Sequence, residues 1–314
     1  MFEIRRYDGS MASLWDGFVR TTKNGTFLFL RDYMDYHSDR FVDHSLLFCL
    51  DGKPYALLPA NEGSDGTFYS HQGLTYGGLV MSSHCKAAKV CQLMRELNEY
   101  LRSQGFRRVV YKHIPWPYCA LPSEEDLFAL VNVCHARIVS RDVGSVIMFG
   151  QRLPFSQSRK GGVSKARRLG LHVRESNDWP SFWQILEDNL WRNHRAKPVH
   201  TLKEIELLKS RFPEAIRLVA TYGGERMLGG TVLYETPLVV KTQYISACDE
   251  GKAIGAIDVL FDELLGQFEQ SGKHYFDFGT SNQRESDDLC DSLIFQKEGF
   301  GGRAVCYDTY QWEL

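Results

Sequence analysis

The segment Asp249-Glu250-Gly251-Lys252-Ala253-Ile254-Gly255-Ala256 lies between two patterned runs. Before it, Val239 to Ser246 alternates like a strand; after it, Val259, Leu260, Leu264 and Phe268 recur at helical spacing. A glycine-bearing loop that opens a helix presents unpaired backbone N–H groups and the positive end of the helix dipole, which together hold phosphate or pyrophosphate. Lys252 would add a cation beside it. The same composition also makes an ordinary turn, so the loop alone leaves both readings open. A second chemical feature is a basic run: Arg159, Lys160, Lys165, Arg167, Arg168 and Arg174, with no acid before Glu175. Such a run contacts RNA or another polyanion, or it is a solvated surface. A tRNA acceptor end, a nucleotide-sugar diphosphate and a phospholipid-linked sugar would all suit it.

The elements that must position these groups come in two similar sets. In the first half, Leu46–Leu50 and Pro54–Leu58 flank Asp51-Gly52 as a β-hairpin. Leu74–Val80 reads as a short strand with a glycine bend. Val90, Leu93, Met94, Leu97 and Leu101 then mark a helix that stops at Gly105, and Arg108–Tyr111 is the next strand. In the second half, strands at Ile216–Thr221 and Thr231–Tyr234 flank Gly223-Gly224. The strand Val239–Ser246, the glycine loop, a helix over Ile257–Gln270 ending before Gly272, and the strand Tyr275–Gly279 follow. The pairs Gly52 and Gly224, Tyr76 and Tyr244, and Gly105 and Gly272 each lie about 170 residues apart. This points to duplication of a domain-sized α/β unit with mixed sheets and helices. Between the halves, Gly161-Gly162 interrupts the basic run, so a short helix is expected only from Ser164; Trp179–Trp191 reads as another helix.

This order of elements resembles the GNAT acyltransferase superfamily over Arg217–Gly301, and more closely its Fem-like branch, whose members carry two GNAT-type domains in tandem. The residues behind the closer resemblance are Ser164-Lys165-Ala166-Arg167-Arg168, Trp191-Arg192-Asn193-His194 and Leu228-Gly229-Gly230-Thr231, then Phe276-Asp277-Phe278-Gly279-Thr280-Ser281-Asn282, Phe295-Gln296-Lys297-Glu298-Gly299-Phe300-Gly301, and Tyr76-Gly77-Gly78-Leu79 in the first half. The resemblance implies tandem GNAT-like domains: 1–150 as a degenerate N-terminal copy, 151–178 as a basic linker, and 179–314 as the copy carrying the donor site. The first copy has Ser82-Ser83-His84-Cys85-Lys86, without glycine, where the phosphate loop would be. It is expected to build a wall of the acceptor cleft instead.

The implied function is N-acyl transfer from acyl-CoA, such as acetyl-CoA, to an amine on a small-molecule or cell-envelope precursor. The resemblance places cofactor binding at Ser246, Lys252, Gly255 and Ala256. It places acceptor binding at Tyr76, Arg192, Asn193 and Ser281, across the interface between the two copies. Asp277 is the candidate base or acceptor-binding carboxylate, and Tyr244 the candidate acid. Backbone N–H groups around Tyr244-Ile245-Ser246 would stabilise the oxyanion. The alternatives are an aminoacyl-tRNA-dependent transferase acting on a peptidoglycan-type precursor, with tRNA held by Lys165, Arg167 and Arg168, and an inactive GNAT-fold binding protein. Some Fem-type enzymes carry a long helical arm; no heptad stretch of that length occurs here, which favours acyl-CoA.

Composition adds bounds. The 314 residues are 43% hydrophobic and 24% charged, with a formal net charge of −2, as for a globular chain with no bulk electrostatic partner. The eight cysteines contain no C-x-x-C pair, so reduced core thiols and no metal site are expected. Met1–Asp8 has no apolar signal region, and no apolar run reaches membrane-spanning length, so a cytoplasmic location without a membrane span is expected.

Overall fold

The structure is a computed structural model that describes residues 1–283 and 288–314. The chain divides into two compact units, Met1–Asp142 with Cys306–Leu314, and Val143–Val305. This division differs from the expected one. The C-terminal strand returns to the first unit, and the basic run belongs to the second unit as a packed helix, not to a linker.

In the first unit, Glu3–Arg6, Leu46–Leu50, Lys53–Leu58 and Val80–Met81 form a four-stranded sheet in that order. The hairpin turn has positive φ at both Asp51 and Gly52, the geometry that follows the right-handed twist of the strands. Strand Arg108–Lys112 pairs antiparallel with Arg303–Glu313 and parallel with Thr67–Tyr69. Helix Ala87–Ser103 buries the expected stripe of Val90, Leu93, Met94, Leu97 and Leu101 against Phe48, Leu58, Phe68 and Val109. It is followed by Gly105 at φ +85. Of the expected Leu74–Val80 strand only Val80 enters a sheet, as the first residue of the strand Val80–Met81. Tyr76 and the glycines after it form an irregular segment instead.

The second unit takes the labels used below, in chain order: β1 (Arg137–Met148, of which the residues from Val143 belong to this unit), α1 (Gln157–Arg168), β2 (His172–Ser176), α2 (Trp179–His194), α3 (Leu202–Arg211), β3 (Ile216–Gly223), β4 (Arg226–Glu235), β5 (Val239–Ala247), α4 (Asp249–Ile254), α5 (Ala256–Phe268), β6 (Tyr275–Thr280) and α6 (Asp291–Gly299). Its strands run β2-β3-β4-β5-β6-β1. Every neighbouring pair is antiparallel except β5 and β6. Phe261 of α5 anchors the core, with ring centroids 5.9 Å from Phe276, 5.0 Å from Phe278 and 5.1 Å from Phe300. Each buried ring of this kind contributes about 1.5–3 kcal/mol.

Two expectations are corrected here. Gly161 and Gly162 do not break α1; they lie inside it. A side chain at Gly162 would run into the Asp258 carboxylate, so glycine is what lets α1 lie close on α5. Arg159 to Asp258 at 2.7 Å, Arg167 to Asp262 at 2.5 Å and Lys165 Nζ to the Ala253 carbonyl at 2.9 Å hold the two helices together. The Asp249–Ala256 loop is also not a loop. Cys248 caps a short helix, its Sγ accepting from the Gly251 amide at 3.4 Å, and Gly255 at φ +83 joins that helix to α5. Ala253-Ile254 supplies helix-compatible residues where a richer glycine loop would stay open.

Candidate functional site

Strands β5 and β6 pair in parallel only at Val239–Tyr275, Val240–Phe276 and Lys241–Asp277. Beyond that point they separate. The β4–β5 register shifts between Val232 and Leu233, so that Gln243 has no opposing residue and β5 bends at a bulge. Past the bulge β5 stays paired with β4 to Ala247, while β6 stays with β1 at Thr280–Gly144. Each strand keeps its outer neighbour, and the sheet opens between them.

A cavity of about 210 Å³ occupies that opening. Ile245, Ser246 and Ala247 of β5 and Phe278 of β6 form its strand side; Ile257, Phe261, Leu293, Lys297 and Phe300 close it from the helices, and Asn189 and Lys252 stand beside it. A volume below the usual 300–1,000 Å³ for drug-sized ligands suits one arm of a ligand.

The divergence point carries two buried ammonium groups. Lys241, level with Asp277 across the strands, donates to Gln243 Oε1 at 3.1 Å. Lys297 of α6 donates to the Gly279 carbonyl at 3.0 Å and the Thr280 carbonyl at 2.6 Å. Burial pushes the pKa of both lysines down, with the Asp277 carboxylate opposing it, and Lys297 falls to about 8. Lys297 is thus mostly cationic at pH 7 and lies in the cavity wall. The sequence reading missed both residues. The available signal was a lysine inside an otherwise apolar strand and another between Phe295 and Phe300 in α6.

The expected site residues scatter. Ser246 lines the cavity and donates to the Ile185 carbonyl at 3.3 Å. Lys252 stands at the cavity, exposed, and its Nζ donates to Asn189 Oδ1. Gly255 and Ala256 are not in the cavity wall; the backbone of Gly162 covers Gly255, and the Ala256 carbonyl accepts from Thr221 Oγ1 at 2.9 Å. The first turn at the end of β5 belongs instead to α4, where Asp249 and Glu250 stand. Arg192 pairs with Asp249 at 2.7 Å, and Asn193 bonds to Asn189 within α2. The side chain of His194 lies outside the described residues.

Four placements argue against the expected roles. Asp277 is fully buried, accepts from the Gly279 amide at 2.7 Å and does not line the cavity. It is placed to offset the lysine charges, not to take a proton from an acceptor in the cavity. The Tyr244 phenol points away from the cavity, to His200 Nδ1 at 2.7 Å and the His200 amide at 3.1 Å, edge-on to Trp183. Burial raises its pKa to about 12, and it serves as packing. Tyr76 is 1% exposed in the first unit's core, edge-on to Phe29 and against Tyr118. Ser281 is buried just after β6; its amide donates to the Val143 carbonyl, and its carbonyl accepts from the Cys290 amide at 2.7 Å.

Among the described residues no His, Cys, Asp and Glu cluster could hold a metal ion, and all eight cysteines are free. No helix among them is long and apolar enough to cross a membrane.

No known family profile and no curated protein matches the sequence. Solved structures do match the fold. The chain is similar to FemX, with a TM-score of 0.69 at 10% identity, covering 99% of this chain and 97% of that one. It is similar to L-PGS from Bacillus licheniformis, with a TM-score of 0.63 at 10% identity over 98% and 92% of the two chains. It is also similar to a tandem GNAT protein from the clavulanic acid biosynthesis pathway, with a TM-score of 0.53 at 11% identity over 100% and 98%. The fold is that of two GNAT-type domains in tandem.

Proposed function

On a tandem GNAT-type fold, we propose that the second unit is an N-acyltransferase site in which an activated acyl group enters the opening between β5 and β6 and passes to an amine. The observation that carries this reading is the cavity itself. It is set between two strands that diverge at a bulge and is lined by Ile245, Ala247, Ile257, Phe261 and Phe278. The inner edge of β5 beyond Lys241 has left its partner strand, so its amides are available to a carbonyl oxygen. In the reaction the amine nitrogen forms a bond to the acyl carbon, and the carbonyl π pair moves onto oxygen. Collapse of that oxyanion breaks the carbon–sulfur bond of a thioester, and the proton lost by nitrogen ends on the departing sulfur.

The donor in this reading is acyl-CoA, its pantetheine lying along β5 towards Ser246 and Lys252. Calorimetry with acetyl-CoA tests it: saturable binding is expected, and no heat at millimolar ligand rejects the CoA donor. One observation favours a second donor. Asp249 and Glu250 occupy the first turn of α4, where a pyrophosphate would sit, and their carboxylates already engage Arg192, Lys252 and Arg226, the cations that would otherwise meet it. An aminoacyl-tRNA would avoid that turn and could use the exposed Lys165, Arg167 and Arg168 of α1. It predicts tRNA binding that weakens steeply with salt and falls when those three become alanine. Salt-independent binding or none removes it.

A further inference from the structure

Lys241 and Lys297 place two ammonium groups at the divergence of β5 and β6, and among the described residues Asp277 is the carboxylate that acts on both. Burying an ammonium without a counter-ion is costly. An ammonium has three N–H donors. Lys297 uses two on the Gly279 and Thr280 carbonyls, and Lys241 is held by the Thr242 carbonyl and Gln243. Among the described residues, the buried hydroxyls Thr242 Oγ1 and Ser281 Oγ have no hydrogen-bond partner. Among the described residues the cluster therefore sets two ammonium groups against one carboxylate. Lys297 faces a cavity whose other walls are mostly apolar, Ile245, Ala247, Phe278 and Leu293 among them.

We infer that the cavity is specific for an acyl group that carries its own carboxylate, a half-thioester of a short dicarboxylic acid, with the methylenes on the apolar wall and the carboxylate on Lys297. This rests on the acyltransferase reading above and deepens it. A neutral acyl chain of equal length would fill the same wall and leave the Lys297 ammonium only the Asp277 carboxylate that it shares with Lys241.

The test compares succinyl-CoA with butyryl-CoA by calorimetry on the full chain. Succinyl-CoA is expected to bind at least about tenfold tighter, the equivalent of 1.4 kcal/mol, and Lys297→Met is expected to erase the preference. Equal affinity of the two thioesters in the wild-type chain overturns the inference while leaving the CoA donor standing. Should neither thioester bind, the CoA donor fails and the free fragments decide. Monomethyl succinate, but not methyl butyrate, is then expected to raise the Lys297 pKa read by NMR of its ammonium in the wild-type chain. An unmoved Lys297 overturns the inference independently of the donor and of whether the variant folds.

Discussion

Lys297 reaches from α6 to the end of β6, where its ammonium donates to the Thr280 carbonyl at 2.6 Å with only 7% of the residue exposed. The contact joins the helix that closes the cavity to the strand that opens it. It also keeps a positive charge in a place where water is scarce.

That burial has a sign that can be measured. The native pKa of Lys297 lies near 8, below the 10.5 of a free lysine. Between those values the unfolded chain holds a proton that the native chain has released, so stability rises with pH across the window. Urea titrations from pH 7 to 10.5 are expected to show wild type gaining on Lys297→Met by up to about 1.4 kcal/mol per pH unit. A pH-independent difference between the two would refute the buried-cation assignment.

The junction of α4 and α5 depends on Gly255. Its φ of +83 disfavours any L side chain, and a Cβ there would strike the Gly162 carbonyl of α1. Gly255→Ala is expected to cost about 2–4 kcal/mol, combining the backbone conformation with displacement of α1. Thermal melts compared with Gly266→Ala, where a Cβ meets nothing within 4 Å, separate the local effect from a general one. Similar melting temperatures for the two variants would contradict the close approach.

Leu293 stands in the cavity wall on α6, 36% exposed, so a larger ring there has room to turn towards solvent at its outer edge. Leu293→Trp is expected to weaken acyl-donor binding more than tenfold while shifting stability by less than about 1.5 kcal/mol. Donor affinity that survives the substitution would place the acyl group elsewhere.

The first unit carries a stacked pair, His37 and His71, with ring centroids 5.1 Å apart. Burial, and then the nearby charges of His37, Lys112 and Arg31, lower the His71 pKa to about 3. Its native pKa lies below the free value, so its contribution is complete above about pH 6.5 and is lost as pH falls towards 3. His71 has φ +64, which asparagine tolerates, so His71→Asn is expected to flatten the acid side of the stability curve by up to about 1.4 kcal/mol per pH unit. An unchanged acid limb would show that His71 is protonated in the native state.

Much of the architecture is legible in the chain because it rests on periodicity. The Val90–Leu101 stripe, the Asp51-Gly52 hairpin and the strands on either side of the site follow from alternation, spacing and turn residues, which are local. Tyr76 shows the limit of that reading. It matches Tyr244 in spacing, yet one is held in a core off any strand and the other packs on β5 against Trp183 of α2 and His200. Spacing cannot say which face a tyrosine takes.

The sequence by itself determined the order of elements, the tandem arrangement and the neighbourhood of the site, between Val239–Ser246 and Tyr275–Gly279. The tertiary structure decided which groups meet there. A bulge at Gln243 parts two strands, Gly162 seats α1 over Gly255, and α6 brings Lys297 back beside Lys241 and Asp277. These are contacts between segments far apart in the chain. Burial and charge at such a point depend on every element that closes around it, and no local pattern encodes that.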